Sequence, residues 1–294
     1  MGQFIRHPLL LATFAAIASG ALLTPARATQ ADAATIYATV VGPSGNPVPR
    51  LTAADFAVRE NGVEKNITSA GLATEPISLE LITDRLGKSP EFTPDQMRAG
   101  LAAIVRIVLL VNPDSTISLR TFDSEAVQQV KPTSSAVQLA NAIKSLFSNN
   151  GNSVLLDAIA DASDALTKAP NRHRVIVGLV AGYKGDTSSV TSLAAAQRLR
   201  QSQASLWVLE ATASGVSNPN RDVMLNQATR DSGGFHTTVA IGTALENAAT
   251  RLAALVVSQY AITYTAPSTS ASKRIDVSVR ADAKVLAPHW AADR

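Results

Sequence analysis

The sequence predicts an α/β protein: a doubly wound, mostly parallel sheet with a small β accessory domain formed from both termini. Three observations carry this reading. "RVIVGLVA", Arg174 to Ala181, is a near-continuous apolar run, as expected of a strand buried on both faces of a parallel sheet. From Ile77 onward strand-like and helix-like segments alternate, which is the pattern of parallel strands joined by helical crossovers. Both ends of the chain have β texture, so the first and last strands are expected to pair with each other.

The elements follow in order. "TIYATVV" is rich in β-branched residues and breaks at the turn cluster "GPSGNP". "LTAADFAVRENGVEKNITS" holds Asn61-Gly62 between two strand-like runs, a tight-hairpin signal. "ISLELIT" is the first buried strand. "TPDQMRAGLAAIVRIVLLV" is a helix with Thr93 as N-cap and Pro94 at the first helical position. "STISLRTF" is a strand, and "SSAVQLANAIKSLF" a short helix. "SVLLDAIADASDALTKA" carries a helical stripe of Leu155, Ile159, Ala162 and Leu166. After "RVIVGLVA" come the helix "SSVTSLAAAQRLRQS", the strand "SLWVLEA", and the helix "RDVMLNQATRDS" closed by Gly233 and Gly234. The strand "FHTTVA" and the helix "GTALENAATRLAALVVSQ" complete the alternation. The tail returns to strands in "YAITYTAP", "KRIDVSVR" and "KVLAPHW". The expected divisions are a signal peptide over 1–28, accessory β segments over 34–76 and 257–290, and the α/β domain over 77–256.

The first segment has the layout of a secretory signal: Arg6 and His7, an apolar run from Pro8 to Leu23, and Ala26-Arg27-Ala28 before the cleavage point. The run is short of the ~20 apolar residues that a spanning helix needs. An exported protein, periplasmic or extracellular, without stable membrane insertion after cleavage is therefore expected. Removing Arg6 and Arg27 leaves 26 − 2 = 24 bases against 23 acids, a chain near neutrality. With no basic run and 4% aromatic residues, a nucleic-acid partner is not expected. There is no cysteine, which excludes disulfides, thiolate zinc and thiol catalysis, so the fold must rest on its core.

The order of elements resembles a von Willebrand factor type A domain, and more narrowly the bacterial exported proteins called VWFA-related. "GNPVPRLTAADFAVRENGVEKNI" is similar to that group's entry motif, "NSVLLDAIADA" to its T-x-L-x-D-A-I loop and helix, "DSGGFH" to its Gly-Gly strand entry, and "SQYAITYTAP" to its closing strand. The resemblance implies a Rossmann-like sheet whose crown holds a metal-ion-dependent adhesion site on three loops. Hard cations want an oxygen shell, hence carboxylates and hydroxyls at every ligand position. Asp84 matches the first Asp of that site and Ser153 stands for its Thr. Leu86 and Lys88 occupy the two Ser positions, and Ala181 the second Asp. If a cation binds, Asp84 and Ser153 are its ligands; otherwise no metal and no other cofactor is expected. A rearranged Mg or Ca site would recruit Ser89 and Asp186.

The departure suggests that Lys88 or Arg85 places its charge where a metal would sit and pairs with Asp84. The alternative is that Asp84 caps the following helix or loop. Asp123 ends the second strand on the same edge, either as part of a ligand surface or as a turn opener. Asp157, in the first turn of its helix, is suited to the helix N-terminus or a nearby loop amide. Asp84, Arg85, Lys88, Ser89, Asp123, Ser153 and Asp157 thus form the expected binding surface. Trp207 reads as core and Trp290 as terminal packing. His173, His236 and His289 show no metal-pair spacing, and no nucleophile elbow is present. The expected function is exported, non-catalytic binding of an unidentified protein partner. A metal-dependent adhesin, a structural envelope subunit, and a hydrolase whose groups converge only in the fold are the alternatives.

Overall fold

The computed structural model describes residues 1–2, 32–85, 92–146, 153–181, 185–212, 218–266 and 273–291. The chain forms two compact units, Met1–Gln30 and Ala31–Arg294. The expected signal peptide falls in the first and, beyond Met1 and Gly2, lies outside the described residues.

At the centre of the second unit is a six-stranded sheet in the order β10-β9-β8-β5-β6-β7. Its strands are β5 (Ile77–Asp84), β6 (Thr116–Phe122), β7 (Ala126–Thr133), β8 (His173–Ala181), β9 (Ser205–Ala211) and β10 (Phe235–Val239). All neighbours run parallel except β6 and β7. Helices α1 (Pro94–Val111), α2 (Ala136–Ser145) and α7 (Leu245–Val257) cover one face; α3 (Leu155–Thr167) and α4 (Ser192–Ser202) cover the other. Because side chains alternate along a strand, β8 sends Val175, Val177 and Leu179 into the first core and Ile176 and Val180 into the second. That double burial is why its sequence shows no polar period. The helix starts follow their caps: Thr93 accepts from Gln96 N–H at 3.3 Å, with Gln96 answering in a capping box and Pro94 at the first turn.

Two further sheets come from the termini. One has the order β13-β1-β11-β4 and the other β14-β12-β2-β3, from β1 (Asp32–Val41), β2 (Phe56–Glu60), β3 (Val63–Lys65), β4 (Ile67–Leu72), β11 (Tyr260–Ala266), β12 (Lys273–Val279), β13 (Lys284–Leu286) and β14 (Trp290–Ala291). They enclose a third core around Val40, Val58, Tyr260, Ile262 and Ile275. The Asn61-Gly62 hairpin forms as expected, with φ of 49° and 81° at its two residues. The sandwich meets the α/β body where Tyr37 of β1 stacks on His173 at 4.2 Å and 4° between planes. His173 Nε2 lies 2.7 Å from Gln259 Oε1. Burial lowers the pKa of His173, and burial together with Glu75 pushes the Tyr37 phenol up to about 12, so both stacked rings favour their uncharged forms.

Several elements differ from the sequence reading. "AVQQVKPT", to which the sequence reading assigns no element, is the antiparallel edge strand β7; its Pro132 is tolerated because one side of an edge strand needs no donors. "VEKNITS" is two strands: the chain leaves the β2–β3 hairpin at Asn66 and β4 joins the other sheet. "KVLAPHW" likewise divides into β13 and β14 around Pro288. "RDVMLNQATRDS" is not one uniform helix; α5 (Pro219–Val223) passes through a π turn, Met224–Ala228, into α6 (Thr229–Asp231). The last helix begins with a 3-10 turn, Gly242–Ala244, before α7. Trp207 is core as expected, whereas Trp290 is 38% exposed.

The end of α6 is a Schellman turn: Gly233 N–H donates to Arg230 C=O at 3.1 Å and Gly234 N–H to Thr229 C=O at 2.8 Å, with Gly233 at φ 80°. A Cβ on Gly234 would overlap the backbone carbonyl of Leu206 in β9. Gly234→Ala is therefore expected to cost on the order of 3 kcal/mol by forcing β10 off β9, read as a lowered midpoint in urea unfolding. For the seam, a histidine held below its ordinary 6.5 contributes stability above that pH and loses it as pH falls through it. Stability should accordingly decline on acidification below pH 6.5, and His173→Gln should flatten that limb of the pH profile.

Candidate functional site

The carboxyl ends of the parallel strands gather at one edge of the sheet, where ligands of open α/β sheets bind. Asp84, the last residue of β5, is 5% exposed. Its Oδ2 accepts the backbone N–H of Ala181, the last residue of β8, at 2.9 Å. The Ala181 carbonyl in turn accepts from Arg221 Nη2 at 2.9 Å, and the same nitrogen donates to Glu210 Oε1 of β9 at 2.7 Å. Glu210 Oε2 lies 3.0 Å from His236 Nε2 of β10. A continuous polar chain thus crosses β5, β8, β9, β10 and α5.

Arg221 is 1% exposed, and a guanidinium that deep is sustained only by paired acceptors. Burial alone would raise the Glu210 carboxyl, but the His236 hydrogen bond and the Arg221 charge together outweigh it and hold the group below its ordinary value. Sequence reasoning did not find this network. Glu210 sits inside the apolar run "SLWVLEA", a glutamate one residue from the end of a buried strand, and that was the available signal.

A second set of carboxylates fixes the neighbouring loop. Residue Val154 at the N-cap of α3 offers no side-chain cap. Asp186, from the segment after β8, fills that role: Oδ2 accepts from Leu155 N–H at 2.9 Å and Oδ1 from Ser188 N–H at 2.9 Å. Ser153 and Asp186 are joined by a parallel bridge. Asp157 accepts from Val190 N–H at 2.8 Å and from Ser189 N–H at 3.1 Å, so its partner is the loop amides. Asp123 Oδ1 accepts from Ser124 N–H and opens the β6–β7 turn, while Oδ2 lies 3.6 Å from Arg85 Nη1.

The expected site residues therefore come together in part. Asp84, Arg85, Asp123, Ser153 and Asp157 lie at this edge, but Asp84, Asp123 and Ser153 are buried beneath it. Lys88, Ser89 and Leu86 fall outside the described residues. Arg85, one of the two cations expected to pair with Asp84, stands against Asp123. The described partner of Asp84 is a third group, the amide of the residue where the family pattern would place its second Asp.

As a cation shell, the described donors fit poorly. Asp84 has one oxygen committed to an amide, Ala181 has no side-chain oxygen, and the Arg221 charge reaches the Ala181 carbonyl. The Ser153 hydroxyl, 1% exposed, has no hydrogen-bond partner among the described residues. Among those residues no cluster of three or more His, Asp or Glu side chains is placed to hold a metal. Among the described residues, one half-committed carboxylate and one hydroxyl supply fewer oxygens than octahedral Mg²⁺ needs.

No family model and no curated protein matches the sequence. Solved structures do match. A von Willebrand factor type A protein from Catenulispora acidiphila superposes with a TM-score of 0.53 at 12% identity, over 81% of this chain and 74% of that one. Proximal thread matrix protein 1 from the mussel byssus gives 0.51 at 14% identity over 72% of this chain; the match spans 49%, about half, of the mussel chain. A second structure of that mussel protein, with a zinc-occupied MIDAS motif, gives 0.51 at 15% identity, over 67% and 49% of the two chains. At these identities the likeness is one of fold.

Breaking a buried pair by removing one partner strands the other charge. Arg221→Met is expected to cost on the order of 3 kcal/mol in denaturant unfolding, and Arg221→Met/Glu210→Gln to recover part of it. Because Glu210 is held below its ordinary 4.5, its contribution is present above that pH and is lost as pH falls through the lowered value. Wild type should lose stability relative to Glu210→Gln as the solution is taken below pH 4.5.

Proposed function

With a von Willebrand factor type A-like fold as the premise, we propose that this chain is an exported, non-catalytic protein-binding module. It uses the loops at the carboxyl ends of its sheet strands and needs no bound metal. One observation carries the reading: each acid that would recruit a cation already has at least one oxygen engaged from inside. Asp84 holds the Ala181 amide, Asp186 and Asp157 hold the loop at 186–190, and Glu210 holds Arg221. A crown braced this way keeps its shape without a divalent ion, so a partner meets a surface organised in advance, which lowers the cost of binding. Export is supported by the basic start, apolar run and Ala26-Arg27-Ala28 of the first 28 residues. No helix of the described residues is long and apolar enough to cross a membrane.

The contact between His236 and Glu210 favours one competing reading, a hydrolase. A carboxylate that orients an imidazole is half of a general-base arrangement. Against it, the same carboxylate is shared with Arg221, and neither residue lines the 910 Å³ cavity of this fold.

Titration calorimetry with MgCl₂ and CaCl₂ tests the metal-independent reading. Wild type is expected to show no saturable binding and no change in melting temperature on adding EDTA. Leu86→Ser/Lys88→Ser/Ala181→Asp, which restores the family pattern, is expected to bind Mg²⁺ measurably. Wild-type binding as tight as that of the restored variant would sink the proposal. Protein captured from an envelope extract should be the same with EDTA and with Mg²⁺, and lost in Arg85→Glu/Asp123→Lys. N-terminal sequencing of the protein from cells should begin at Thr29.

A further inference from the structure

A cavity of about 910 Å³ lies at the opposite end of the strands, near the starts of β8 and β9, where five consecutive residues of β1, Ala33–Tyr37, line it. The pairing of β1 explains why. It is hydrogen-bonded to β11 from Asp32 to Ala38, but on its other side β13 covers only Thr39–Val41. Over Ala34–Tyr37 the strand therefore has a described strand partner on one side alone. β13 stops because the chain turns out of the sheet: Pro288 bridges to Ser232, and His289 N–H donates to the Asp231 carbonyl at 2.8 Å. Proline has no N–H with which to extend the ladder.

Helix α4 contributes Leu193, Ala196 and Arg200 to the lining, and Trp290 lines it as well. Leu193 is 79% exposed, and with Ser192, Gln197 and Arg200 beside it the wall offers both apolar and polar contacts. The charge of the groove is uneven. Its two acids are answered by their own bases, Glu60 by Lys65 at 3.3 Å and Asp231 by His289 at 3.1 Å. Arg172 and Arg200 have no carboxylate within ion-pair distance among the described residues; Arg200 rests over the Trp290 ring at 5.4 Å. An arginine stacked on a ring still presents its donors to a carboxylate.

The geometry points to a strand-addition site: an extended, acidic segment of a partner protein adds to β1 along Ala34–Tyr37, with its carboxylates on Arg172 and Arg200. Five extended residues span roughly 17 Å, and alternate side chains would face the sandwich and α4 in turn. Main-chain pairing supplies affinity and the flanking walls supply selectivity. A second copy fits less well, since its own groove carries the same arginines, Arg172 and Arg200, unpaired among the described residues. The groove lies away from the crown, so the failure of either proposal leaves the other standing.

The test uses the full chain and the blocked pentapeptide Ac-Glu-Val-Thr-Val-Glu-NH₂, with tryptophan emission as the readout, since Trp207 is wholly buried and Trp290 lines the groove. A saturable emission change is expected, together with slowed amide exchange over residues 34–37. Replacing both peptide glutamates by lysine, N-methylating alternate peptide amides, or introducing Arg172→Glu/Arg200→Glu should each weaken binding at least about tenfold. No saturable binding up to millimolar peptide, equal binding of the lysine or N-methylated peptides, or exchange protection confined to the crown loops overturns the proposal. So does a dimer in sedimentation that excludes the peptide, which would make a second copy the occupant.

Discussion

β5 and β9 are buried along their whole length, and β8 at every residue but Arg174. Their polar ends therefore emerge among apolar side chains, and every carboxylate and backbone group there has to be satisfied by the protein itself. The chain from Asp84 through the Ala181 peptide to Arg221, Glu210 and His236 is how this requirement is met. It links four neighbouring strands and the helix that follows β9. In a cation-binding crown, acids are held apart and left short of donors until the ion arrives. Here they are supplied with amides and a guanidinium, and the energy of those contacts belongs to the folded chain.

The same economy governs the loop behind the crown. Asp186 stands in for the side-chain cap that Val154 cannot provide, and Asp157 holds the amides that follow. Helix α3 and the segment after β8 are thus fastened to each other by carboxylate-to-amide bonds, which are stronger than neutral ones. At the other end of the sheet the logic reverses. Where β1 meets the α/β body, His173 and Tyr37 are both shifted toward their uncharged forms. Just beyond, β1 loses its second strand neighbour and arginines line the gap. One end of the molecule is closed on itself, and the other leaves a strand edge incompletely covered.

Local sequence settled what depends on local physics. Thr93 and Pro94 start α1, the Gly233-Gly234 pair closes α6, Asn61-Gly62 turns the hairpin, and unbroken apolar runs mark strands covered on both faces. It also made Asp84 conspicuous, because a carboxylate at the end of such a run needs a partner. Sequence did not reveal β7, whose polar, proline-containing run is an edge strand only because β6 lies beside it. Nor did it separate β3 from β4 or β13 from β14, since which sheet a strand joins is decided by packing across the third core. The partner of Asp84 is 97 residues away, and Glu210 meets His236 across 26. Pairings of that kind follow from strand order and register, which no local pattern encodes, so the sequence by itself determined most of the elements and their alternation, and only the tertiary structure decided which charges meet and which strand, among the described residues, has a strand neighbour on one side alone.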